Sequence, residues 1–187
     1  MSNIIMGNEA IALGLINAGI EMVSAYPGTP SSEILAAYQH HTKRLNLESY
    51  AKWSVNEKDA YEVTYAGAVA GKNTSAVMKQ VGLNVAADAM FSSAYTGCIG
   101  GFVVVSADDP GVYSSQTEQD SRMYAKFAKI PVLEPATIEE AYHFPKLAVE
   151  ISQHFQTPVM IRSVLRISHL RAELDEEPNT ELFNKDH

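Results

Sequence analysis

Short apolar stretches alternate along this chain with helical ones, and the apolar stretches run into polar, turn-rich segments. Ile20 to Ala25, Glu48 to Trp53, Thr74 to Met78, Gly101 to Ser106, Val132-Leu133 and Pro158 to Ser163 have the length and composition of strands. Between them lie helical patterns. The first covers Gly7 to Asn17, with Gly19 placed to stop it, and the next starts at Ser31 and continues through about Tyr38. Others cover about Asn56 to Ala70, about Asn84 to Tyr95, a stretch through Phe127, and Ile138 to Phe155. Parallel neighbours need a crossover between them, and helices serving as crossovers cover both faces of the sheet. The expected fold is therefore α/β, a three-layer sandwich around a mostly parallel sheet of about six strands. In such a sheet ligands bind beyond the carboxyl ends of the strands.

The chain has 187 residues, enough for one domain with its own core. No second domain or internal repeat is visible. The compact part is expected over residues 1–170, with 171–187 as an acidic tail or linker, since Glu173 to His187 offers few apolar anchors. A net charge of −8 disfavours a nucleic-acid surface, which needs clustered Lys and Arg. No apolar run is long enough to span a bilayer, and Met1 to Met6 lacks the basic flank and apolar stretch of a signal peptide, so a cytoplasmic location is expected. Cys98 is the lone cysteine, and the six histidines show no metal-binding spacing. Neither a protein-only metal site nor an iron–sulfur cluster is expected on this chain.

Four segments at predicted strand ends concentrate turn residues and functional side chains: AYPGTPSSE, WSVNEKDA, MKQVGLN and SADDPGVYSSQTEQDSR. Each has an ordinary explanation, because any parallel α/β fold needs polar connections. Glu57 following Asn56 could simply complement a helix dipole beside its cap. Thr29, between Pro27 and Pro30, could be a turn residue bonding its own backbone. Gly82 permits a close approach of the backbone to something. Arg122 carries the planar fork suited to a carboxylate, and pairing with Asp120 or Glu118 is the alternative.

Taken in order, YPGTPSSEI, NEK opening a helix, MKxVGLN, and ADDPG followed by SSQTEQDSR resemble the amino-terminal domain of indolepyruvate ferredoxin oxidoreductase alpha subunits. These subunits belong to the thiamine-diphosphate-dependent 2-oxoacid:ferredoxin oxidoreductases, and the resemblance runs from about Gly7 to His169. It implies a pyrimidine-binding (PYR) fold that holds the aminopyrimidine of thiamine diphosphate. It assigns Glu57 to the pyrimidine ring nitrogen and places Thr29 near the cofactor and the substrate carbonyl. Pro27, Gly28, Thr29, Gly82 and Asn84 are the candidates for contact with the cofactor or the partner domain. Lys79, Ser115, Gln116 and Arg122 are the candidates for the substrate, although pyruvate-type relatives have a different loop after this strand and their substrate arginine does not map onto Arg122. The family's GDG…N signature for metal and diphosphate is missing, as is any ferredoxin-like cysteine run. Magnesium and the iron–sulfur clusters are therefore expected on partner domains or subunits.

The resemblance implies oxidative decarboxylation of a 2-oxoacid to acyl-coenzyme A, with ferredoxin as electron acceptor. The chain would be incomplete alone and would work in a hetero-oligomer with a diphosphate-binding domain and with iron–sulfur and gamma- or beta-type subunits. Other readings stay open. A non-redox thiamine-dependent 2-oxoacid decarboxylase would use the same Glu57. A non-catalytic nucleotide-binding module would leave Glu57 dispensable, although no GxGxxG follows the first strand. A purely structural subunit would keep the fold alone.

Overall fold

The computed structural model describes residues 3–183. In chain order these form β1 (Asn3–Met6), α1 (Gly7–Asn17), β2 (Met22–Ala25), α2 (Ser32–Arg44), β3 (Tyr50–Trp53), α3 (Glu57–Val69), β4 (Thr74–Lys79) and α4 (Gln80–Thr96). Next come β5 (Phe102–Asp108), α5 (Arg122–Ala128), β6 (Val132–Leu133), α6 (Ile138–Phe155), β7 (Val159–Val164), α7 (Leu165–Ser168) and β8 (Arg171–Leu174). Six strands form one sheet in the order β3-β2-β4-β5-β7-β6, and every pairing in it is parallel.

Side chains alternate across this sheet, as the two-residue period of a strand requires. Val77, Val103, Val105, Val159 and Ile161 enter one core with Ile11, Leu15, Ile34, Leu35 and Tyr38. Ala76, Met78, Phe102, Val104 and Met160 enter the other with Tyr61, Leu83 and Met90. The three-layer arrangement follows, with α1, α2 and α6 covering one face and α3, α4 and α5 the other.

Strand order reverses at β2. The chain leaves β2 for β3 on one side and returns to β4 on the other, so the connections after β2 and β4 part and open a crevice between their carboxyl ends. Helix starts around this edge have local causes. The Asn56 side chain accepts from the Asp59 amide at 2.8 Å and caps α3. At α6, Thr137 accepts from the Glu140 amide at 3.1 Å while Glu140 accepts from the Ala136 amide at 2.7 Å, a reciprocal arrangement like a capping box.

Several sequence expectations are corrected. MKQVGLN is not a loop: Lys79 is extended and α4 begins at Gln80, so Gly82 and Asn84 are helical. Asn84 had the residue type of a cap and Gly82 that of a breaker, but packing against α3 keeps this turn helical. Helix α2 continues past Tyr38 to Arg44, because Tyr38, His41 and Thr42 are buried and the Tyr38 hydroxyl donates to the Ile20 carbonyl at 2.6 Å. Helix α5 starts only at Arg122. The segment from residue 171 is no free linker as far as Phe183. Strand β8 pairs antiparallel with β1, an unforeseen two-stranded sheet, and Leu174 and Phe183 are 6% and 7% exposed within the core. The Asn179 amide also donates to the Asn17 side chain at 3.0 Å. Residues 184–187 of the expected tail lie outside the described ones.

Helices α1 and α6 meet closely enough that a Cβ on Gly14 would lie 2.3 Å from the Tyr142 carbonyl oxygen and 2.8 Å from Pro145 Cγ. Gly14→Ala is expected to lower the unfolding free energy by about 1–3 kcal/mol through overpacking, although alanine is the better helix former. Urea titration measures this. An unchanged midpoint would mean that the two helices part without cost.

Candidate functional site

Four polar segments meet at the carboxyl edge of the sheet. After β2, residues 26–31 turn sharply: the Ser31 hydroxyl donates to the Gly28 carbonyl at 2.7 Å and the Gly28 amide donates to Ser32 Oγ at 2.8 Å. Pro27 and Thr29 are exposed, while Gly28 is half-buried beneath the stem of Lys79. A Cβ on Gly28 would stand 2.6 Å from Lys79 Cδ, so that lysine lies where a side chain would otherwise be.

Glu57 opens α3, directly after the Asn56 cap, and crosses to the first turn of α4. A Cβ on Gly82 would fall 2.5 Å from Glu57 Oε1 and 2.6 Å from its Cγ. The close approach expected at Gly82 is thus made by Glu57. Its carboxylate is half-buried and, among the described residues, takes part in none of the side-chain hydrogen bonds or ion pairs. An acceptor held in place without a partner is free for a ligand.

The segment after β5 closes one side. Lys79 Nζ donates to the Ser114 carbonyl at 3.4 Å, and the Ser114 hydroxyl reaches the Thr29 carbonyl at 3.4 Å. Gln80, fully buried, donates to the Thr117 carbonyl at 3.3 Å and accepts at its own carbonyl from Gln119 at 2.8 Å. Asp109 shapes the turn. Burial works to raise its pKa, but the Ser114 amide, the Tyr113 amide and the Ser114 hydroxyl together hold it below the usual range. Ser115 is half-buried there, and Gln116 is exposed.

Two expected site residues are engaged elsewhere. Arg122 pairs with Asp120 through Nε at 2.9 Å and Nη2 at 2.7 Å, and its Nη1 lies 3.4 Å from Glu134. The alternative of an internal pair with Asp120 is what the structure contains. Asn84 accepts a hydrogen bond from the Tyr124 hydroxyl, which ties α4 to α5. Among the aromatic residues, Tyr65 and Phe91 pack against the second core, whereas Trp53 and Tyr95 are exposed.

Two supporting groups escaped the sequence reading. Asn8 is fully buried in α1, and its Nδ2 donates to the Pro30 carbonyl at 2.7 Å and to Glu33 Oε2 at 3.0 Å, clamping the turn that carries Thr29. Arg162 lies inside β7, bonding Asp108 at 2.6 Å and Glu134 at 2.6 Å, with Asp120 at 3.5 Å. Asp108 also accepts from the Ser121 amide at 3.0 Å and from the Ser121 hydroxyl. Both ends of the 109–121 segment are thereby anchored. A lone arginine in the apolar run PVMIRSV was the available signal, because a buried charge requires a fixed partner.

Residues 13–186 match the family described as pyruvate flavodoxin/ferredoxin oxidoreductase, thiamine-diphosphate-binding. This chain belongs to that thiamine-diphosphate-binding family. Within it, the indolepyruvate oxidoreductase subunit IorA of Archaeoglobus fulgidus is 50% identical over 167 residues, covering 88% of this chain and 27% of the relative. The subunit of the same name from Thermococcus kodakarensis is 46% identical, over 91% of this chain and 26% of that protein. The 2-oxoglutarate synthase subunit KorA of A. fulgidus is 28% identical, over 90% and 50% respectively. The chain thus spans about a quarter of the indolepyruvate relatives it matches. The fold is shared with 2-oxoglutarate:ferredoxin oxidoreductase from Magnetococcus marinus, at a TM-score of 0.80 and 20% identity, covering 98% of this chain and 32% of that one. As in the expectation from sequence, the thiamine-diphosphate-binding chain is α/β with a six-stranded sheet. Among its described residues no helix is long and apolar enough to cross a membrane, and no cluster of three or more His, Cys, Asp or Glu gathers as a metal site.

Arg162→Met would strand Asp108 in the interior and is expected to cost about 3–5 kcal/mol of stability, read by denaturant unfolding. Acid should act on the segment after β5. The Arg122 hydrogen bond lowers the Asp120 pKa to about 2, against an opposing effect of burial, and Asp109 is lowered as well. Folded-state values below the unfolded ~3.9 mean that this anchoring is complete above about pH 4 and is lost as pH falls from there toward 2. Amide exchange at 109–121 should rise over that window; constant exchange would exclude both carboxylates as anchors.

Proposed function

We propose that this chain is the pyrimidine-binding part of a 2-oxoacid:ferredoxin oxidoreductase of the indolepyruvate or aryl-pyruvate type. It would catalyse oxidative decarboxylation to acyl-coenzyme A together with a diphosphate-binding domain. The observation that carries this reading is the Glu57 carboxylate, seated over Gly82 beside the β2/β4 crevice with no side-chain partner among the described residues. Its fit to an aminopyrimidine is chemical: one carboxyl oxygen can share a proton with the ring nitrogen, which favours the imino form of the neighbouring amino group. Thiamine diphosphate, when bound, supplies the carbon nucleophile and the electron sink for cleaving the bond beside a 2-oxo group. Glu57 would orient the pyrimidine and hold that proton. Pro27, Gly28 and Thr29 would line the crevice, with Thr29 facing the reacting carbonyl and Asn8 fixing the turn from behind.

The site is open on this side. Tyr26, Trp53 and Val55 leave apolar surface exposed around it, which suits closure by a second domain carrying the diphosphate and magnesium. Iron–sulfur clusters on further subunits would pass electrons to ferredoxin, in a hetero-oligomer of the cytoplasm. The similarity to indolepyruvate oxidoreductase subunits at 44–50% identity favours this redox reading over a non-redox decarboxylase.

The test is anaerobic copurification of the tagged chain from its host, followed by thiamine- and 2-oxoacid-dependent viologen reduction. The chain should bring with it a diphosphate-binding partner and iron–sulfur proteins. Glu57→Gln should reduce turnover by at least about 100-fold, on the scale of a lost proton-transfer group. Gly82→Ala should keep the fold and lose most activity by displacing Glu57. Full activity in Glu57→Gln would sink the reading and favour a binding module.

A further inference from the structure

The four segments that form the site contain three cations, Lys58, Lys79 and Arg122. Two are already neutralised. Lys58 pairs with Asp88 at 3.1 Å and Glu62 at 3.7 Å, and Arg122 with Asp120 and Glu134. Arg162, inside β7, is buried among three carboxylates. Lys79 differs. Among the described residues its ammonium meets no carboxylate, and its one side-chain hydrogen bond is the long contact of 3.4 Å to the Ser114 carbonyl.

Position strengthens the case. Lys79 ends β4, one of the two strands that border the crevice. Its stem crosses Gly28, whose missing side chain leaves the room, and its ammonium is held toward Ser114, which in turn contacts Thr29. It is three positions before Gly82, on which Glu57 rests. An ammonium has three donors, and the Ser114 carbonyl uses one of them.

We propose that Lys79 is the specificity-determining residue that holds the carboxylate of the 2-oxoacid, the role that Arg122 is too fully paired to fill. The assignment rests on the 2-oxoacid chemistry proposed above. Lysine presents a compact charge on a flexible stem, so it anchors a carboxylate without imposing the bidentate geometry of arginine. Gly28 is then required for access of the stem as well as for the turn.

The experiment uses the whole copurified complex with indole-3-pyruvate as substrate, and calorimetric binding of thiamine diphosphate as a separate readout. Lys79→Met keeps the stem and removes the charge. It should raise KM about 10- to 100-fold, the scale of one charge-assisted hydrogen bond, while thiamine diphosphate binding stays within about twofold of wild type. Lys79→Arg should recover most of the loss. Gly28→Ala should raise KM in the presence of Lys79 and add little on a Lys79→Ala background, since both would act through one side chain. An unchanged KM in Lys79→Met, or a rise matched by an equal loss of thiamine diphosphate binding, overturns the assignment. A wild-type complex with no thiamine-dependent turnover of the 2-oxoacid would instead overturn the parent reading, and this assignment with it.

Discussion

Every residue of β5 from Phe102 to Asp108 is buried, and the molecule is organised around that fact. A strand with no exposed face must be covered twice, and its neighbours β4 and β7 must satisfy its backbone along its whole length. The apolar part of the strand is covered by the two cores. Its polar end is different, because Asp108 enters the interior as a carboxylate. Ser106 of β5 lies in register with Arg162 of β7, so the parallel pairing itself delivers the guanidinium to Asp108. The same carboxylate then accepts from Ser121 and fixes where the following segment comes back to the sheet. One buried strand thus sets both the layer architecture and the course of the loop beside the crevice.

Space at the site is created by omission. Gly28 and Gly82 have negative or ordinary backbone angles, so conformational freedom is not why a side chain is missing at either place. Each leaves a volume that another residue occupies, Lys79 in one case and Glu57 in the other. The result is one anionic and one cationic group lying on glycine floors at the two sides of a crevice, without a direct bond between them. Their separation keeps both available, whereas the nearby pairs Arg122–Asp120 and Lys58–Asp88 have consumed each other's charge.

Much of the fold was legible in the sequence because its signals are local. The α1 and α6 boundaries follow from apolar periodicity and, for α1, from Gly19, and the strand β6 was readable although it has only two residues. What escaped notice depends on partners distant in sequence. Strand β1 finds β8 across most of the chain, Asn8 reaches Pro30 and Glu33, and Arg162 reaches Asp108. At the site, Glu57, Thr29 and Gly28 were visible as motif residues, and the structure gathers them at one edge. For Arg122 the pair with Asp120 was one of the readings left open, and the contact with Glu134 was not visible. Its spacing from Asp120 allowed a pair, but the approach of Glu134, which also bonds Arg162, depends on the fold.

The small antiparallel sheet of β1 and β8 has a mechanical consequence. Asn3 lies opposite Leu174, so the chain enters the first strand and leaves the last at the same end of the pair. Tension transmitted through flanking chain would open the hydrogen bonds between these strands one after another, as a zipper opens, instead of shearing them all together. The segment after β8 adds a second restraint, because Phe183 in the core and the Asn179–Asn17 hydrogen bond must be released before tension from farther along the chain reaches the zipper. The spacing between Glu57 and Lys79 lies behind these two releases in series.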